Sequence, residues 1–188
     1  MFLYKLAKLI GFILLLLTIT TVHIFFTSVL PEPFVFVHVI IASLICYLFL
    51  FENGSVVWLS FLLFFFLDAY SAGTPFGVLL LSGTIATLCV YWLYERIFTN
   101  RSWYSGLALT AICIVLFRAL YFMLRFIVSV YTDVPLSFVR LSDILLWELV
   151  LTPSIVAIVV AIVTVTVPSL RMRSKKELFT LSRRSYER

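Results

Sequence analysis

The chain has 188 residues, 63% of them hydrophobic and 12% charged, with a formal net charge of +5. A water-soluble domain of this size needs about twice that share of charge to cover its surface, so this composition excludes one. The apolar residues fall in blocks of about 20, the length that crosses a hydrocarbon core of roughly 30 Å.

The expected fold is all-α: a bundle of about six transmembrane helices in one membrane domain, residues 1–168, followed by a basic tail, 169–188. The first span is expected at about 9–30. Lys5 and Lys8 ahead of it resemble the start of a secretory signal, but the run is long enough to span and no small-residue cleavage site follows, so it is expected to stay as a helix. Pro31-Glu32-Pro33 ends it, because two prolines remove backbone donors. The second span is expected at 34–51, closed by the polar turn Glu52-Asn53-Gly54. The third, at 55–70, is short and ends in the small-residue break Ser71-Ala72-Gly73-Thr74-Pro75. The fourth is expected at 76–98, the fifth at 103–130 and the sixth at 142–167, with Pro168 closing it. Trp58, Trp92, Trp103 and Trp147 lie near helix ends or loops, as an interfacial aromatic belt requires.

The distribution of Lys and Arg orients the bundle. With six spans and the N-terminus inside, eleven of the 14 basic residues are cytoplasmic: Lys5, Lys8, Arg96, Arg101 and seven in the tail. Arg125 and Arg140 are left outside, and Arg118 lies within the fifth helix. The expected location is therefore the inner membrane with both ends cytoplasmic. The tail is suited to anionic inner-leaflet lipid, which accounts for the basic charge without a nucleic-acid partner.

Ionisable groups at membrane depth are costly and mark candidate sites. Asp68 ends the third helix, where its carboxylate can accept from backbone N–H groups freed at the break; an ion or proton site is the alternative. Arg118 and Arg125 are seven residues apart and share a helix face. They form either a basic stripe towards a cavity or a partner, or a pair of structural cations, Arg118 matched to a carboxylate and Arg125 reaching the outer interface. Glu148, a turn beyond Asp143, is the available intramembrane partner for either arginine. Pro153 removes one backbone donor from the sixth helix, and Thr152 can bond a freed carbonyl beside it. His23 and His38 are read as hydrogen-bonded structural residues, and Cys46, Cys89 and Cys113 as small buried hydrophobes. No metal-ligand spacing, cofactor motif or nucleophile–base arrangement is present, so a catalytic role is not expected.

One stretch carries a family likeness. Leu67-Asp68-Ala69-Tyr70-Ser71-Ala72-Gly73-Thr74-Pro75-Phe76-Gly77 resembles the central motif of the rod-shape-determining MreD family, an apolar helix ending in Leu-Asp, a small-residue turn and a second apolar helix. Ala72 is one residue more than that pattern holds, and Glu148 falls in a helix that is nearly uncharged in the family. Helix count, the Phe98–Trp103 loop and the basic tail are also similar. The resemblance implies a non-catalytic subunit of the bacterial cell-elongation machinery, working with a single-span MreC-like protein and through it with an MreB-like cytoskeleton and peptidoglycan synthases. Asp68, Gly73, Thr74, Pro75 and Gly77 would then form a structural turn. The MreD fold is itself similar to vitamin-binding subunits of small-molecule importers, which leaves a second function open, with Asp68, Arg118, Arg125 and Glu148 lining a pocket.

Overall fold

A computed structural model describes residues 2–71, 75–97, 103–132 and 141–166. They form six α-helices: α1 (Phe2–Val29), α2 (Val39–Phe51), α3 (Ser55–Tyr70), α4 (Val78–Arg96), α5 (Trp103–Thr132) and α6 (Leu141–Thr166). A single 3-10 turn, Phe34–Phe36, precedes α2. Four helices contain segments long and apolar enough to cross a membrane: Gly11–Val29, Val78–Arg96, Tyr104–Tyr131 and Ile144–Val163. The chain is an all-α membrane protein.

The second helix corrects the expected boundary. It begins at Val39, not Phe34, and has 13 residues. Pro33 leads into the 3-10 turn, Val37 is extended (φ −70°, ψ 116°), and the helix starts only after His38. His38 caps it, Nδ1 accepting from the Ile41 N–H at 3.4 Å. At 1.5 Å per residue, α2 covers about 20 Å and the 16-residue α3 about 24 Å, both less than the roughly 30 Å of hydrocarbon. The six-helix bundle thus holds four helices of full spanning length and two shorter apolar ones. The fourth helix also starts later than expected, at Val78, because Phe76 and Gly77 belong to the preceding turn. Residue 98, the closing Pro168 and the basic tail lie outside the described residues.

The shortness of α2 follows from its place. It packs against α1, α3, α5 and α6. Ile40, Ile41, Leu44, Ile45 and Leu48 are all essentially inaccessible. A helix apolar on every side belongs in the interior, and α2 is held there between α1, α3, α5 and α6. The core continues through Leu59, Leu63 and Phe64 of α3, Ala86 and Val90 of α4, and Leu109, Ile114 and Phe117 of α5. Outward, Leu14 and Phe25, Leu81 and Leu88, Met123 and Phe126, and Val150 and Ile158 are exposed, the apolar coat that a bilayer solvates.

Successive helices α3 to α6 pack on one another. The α3–α4 contact is close because α4 offers Gly83, Ser82 and Thr87, small residues of the kind that let membrane helices approach. Ser60 Oγ and Thr87 Oγ1 meet across it at 2.9 Å. Thr152, fully buried in α6, reaches a different target from the one expected at Pro153: its Oγ1 accepts the His38 N–H at 3.0 Å. That bond ties the start of α2 to α6 and satisfies a donor at a helix start. Thr152→Val should lower stability by about 1 kcal/mol, the usual net worth of such a bond, and a thermal melt of the detergent-solubilised chain reads it.

Candidate functional site

The polar residues separate into three places. The first is the α3–α4 turn. Asp68 is buried at the end of α3, and its Oδ2 accepts from the Gly77 N–H at 2.5 Å. Gly77 has φ +101°, a left-handed conformation that favours glycine, and its carbonyl accepts the first helical bond of α4 from Leu81. Pro75 is exposed and its carbonyl accepts from the Val78 N–H. The carboxylate thus latches the end of one helix to the start of the next. Gly73 and Thr74 lie outside the described residues. Asp68→Ala removes the latch and should destabilise by about 1–3 kcal/mol, whereas Asp68→Asn keeps an acceptor and should retain part of it. Equal losses for the two in a denaturant titration would count against the latch.

The second place is deeper. Arg118 of α5 and Glu148 of α6 form an ion pair, Nε to Oε2, at 2.6 Å. The Glu148 side chain is fully buried and that of Arg118 is 24% exposed. Arg125 does not join them. It donates from Nη1 to the Tyr121 hydroxyl at 3.0 Å, with its guanidinium 6.0 Å from that ring. The shared helix face predicted for the two arginines therefore serves two different partners.

The third feature is absent from the sequence reading. His23 of α1 and His38 stack with ring centroids 4.8 Å apart. Phe117 meets His38 edge-on at 5.1 Å. The signal was available: the two histidines lie either side of Pro31-Glu32-Pro33, and a chain that reverses there returns one to the other.

These histidines and the ion pair border a single cavity of about 190 Å³ between α1, the 3-10 turn, α3, α4, α5 and α6. It sits towards the end of the bundle where α1, α3 and α5 finish and α2, α4 and α6 begin. His23 Nδ1 and Glu148 Oε1, both on cavity-lining side chains, are buried without a hydrogen-bond partner. Among the described residues no group of three or more His, Cys, Asp or Glu is arranged to hold a metal ion. The cysteines are free, Cys113 buried and Cys46 and Cys89 half-buried. Comparison with known proteins gave no matching family model, no curated relative and no similar solved structure.

Proposed function

We propose that the chain is a non-catalytic membrane subunit of the bacterial cell-elongation machinery, similar to MreD and acting on cell shape and peptidoglycan synthesis through partner proteins. The observation that carries this reading is the bond from Gly77 to Asp68. The acidic residue and the last glycine of the MreD-like stretch engage each other, so the stretch works as a turn that fixes α3 against α4. In this reading the bundle lies in the inner membrane with both ends cytoplasmic. The basic tail rests on anionic lipid, and a single-span MreC-like protein supplies the link to an MreB-like cytoskeleton and the synthases.

The importer reading is less well supported. Of its four candidate residues only Arg118 and Glu148 line the cavity. The volume of about 190 Å³ is also small beside the roughly 300–1,000 Å³ of pockets that enclose drug-sized ligands.

Affinity purification of the full chain from its native membranes, with cell width measured after deletion, tests the proposal. The expected result is co-purification of a single-span membrane protein with a large outer domain, and rounded or widened cells. Unchanged width with no such partner would sink it.

A further inference from the structure

The cavity beside the Arg118–Glu148 pair is not needed for a turn or a scaffold, and its chemistry is specific. Arg118 and Glu148 supply the guanidinium and the carboxylate on its wall, and their formal charges cancel. A charged guest would sit uncompensated in this half-open pocket and lose part of its hydration there, so the site selects against ions. It is not purely apolar either. Glu148 Oε1 has no partner, and a small turn about the broad terminal torsion of the side chain presents it as an acceptor. Arg118 commits Nε to Glu148, and a guanidinium carries four further N–H donors on a side chain that is 24% exposed and lines the cavity. One wall therefore offers an acceptor and donors side by side. Phe36, His38, Phe117 and Tyr121 supply flat aromatic walls. The volume of about 190 Å³ corresponds to roughly six waters at about 30 Å³ each, or to one ring with a small substituent.

We propose that this cavity is a binding site for a small, flat, neutral molecule bearing a carboxamide or lactam group. The N–H of such a group donates to Glu148 Oε1, its carbonyl accepts from Arg118, and its ring lies against the aromatic walls, where offset or edge-on contacts are favoured. The assignment does not rest on the scaffold reading. The cavity is the same whether or not the chain has an MreC-like partner.

The test uses the full chain in lipid nanodiscs, with benzamide as probe and benzoate and toluene as probes of similar shape. Binding is followed by ligand-observed NMR against empty nanodiscs. Benzamide is expected to bind saturably, and at least tenfold more tightly than benzoate or toluene. Leu79→Trp, which fills the cavity from α4 without altering charge, is expected to abolish that saturable binding. Glu148→Gln leaves Arg118 as the uncompensated charge and is expected to reverse the preference, so that benzoate binds better than benzamide. Non-saturable benzamide binding, equal binding of the three probes, or full binding to Leu79→Trp would each overturn the proposal. The comparison of probes on the unaltered chain decides the matter even if Glu148→Gln fails to fold.

Discussion

Arg118→Leu is expected to destabilise the bundle by about 3–5 kcal/mol, the range found when one member of a buried ion pair is removed. The asymmetry of the pair decides which substitution is worse. Glu148 is fully buried, whereas Arg118 is 24% exposed and keeps contact with the cavity. Removing the arginine strands the more deeply buried charge; Glu148→Leu strands a cation that retains some hydration, so its loss is expected to be smaller. The neighbouring cavity admits water to the stranded carboxylate and places Arg118→Leu towards the lower end of the range. The double variant Arg118→Leu/Glu148→Leu removes both charges and should recover most of the loss, since apolar replacement of a buried pair is often neutral. Hydrogen bonds between membrane helices average only about 0.6 kcal/mol, so a loss of that size would mean the contact is an ordinary polar one. Equilibrium unfolding of the three variants in mixed micelles makes the comparison. A double variant no more stable than Arg118→Leu would contradict coupling through charge.

The sequence carried the helices because apolar blocks of spanning length have few other physical uses. It carried the break after α3 as well, since Asp68, Pro75 and Gly77 each act locally: one as a carboxylate acceptor, one as a missing donor, one as a residue tolerant of φ +101°. It misplaced the start of α2. Phe34 to Val37 is as apolar as the helix that follows, and hydrophobicity alone does not separate a 3-10 turn from a first helical turn. The choice of Arg118 rather than Arg125 for Glu148 was also not legible. Both arginines lie on one face of α5, and the choice depends on how far α6 is shifted along α5, a tertiary quantity. The cavity was invisible for the same reason. Its wall draws on five helices and a turn, and no linear spacing records that they surround an unfilled volume.

Among the described glycines, Gly83→Ala is expected to meet the severest steric clash, because the added Cβ would lie 2.3–2.4 Å from Cδ2, Cε2 and Cγ of Phe64. The clash is with the body of the ring, including the atom nearest the backbone, so rotating the ring tip does not relieve it. Phe64 is fully buried and has rings on its other sides, Phe117 at 5.4 Å and His38 at 6.1 Å. Relief therefore requires α4 to move away from α3, which also stretches the Ser60–Thr87 bond. Overpacking of this kind costs about 1–3 kcal/mol. Phe64→Leu alone should also destabilise, by leaving space where the ring stood. Combined with Gly83→Ala, however, the smaller side chain makes room for the methyl group. Phe64→Leu/Gly83→Ala should therefore be more stable than the sum of the two single losses predicts, with a coupling of about 0.5–3 kcal/mol as expected for residues in contact. A double-mutant cycle on thermal unfolding measures that coupling, and strict additivity would show that α3 and α4 are not held together at Gly83 and Phe64.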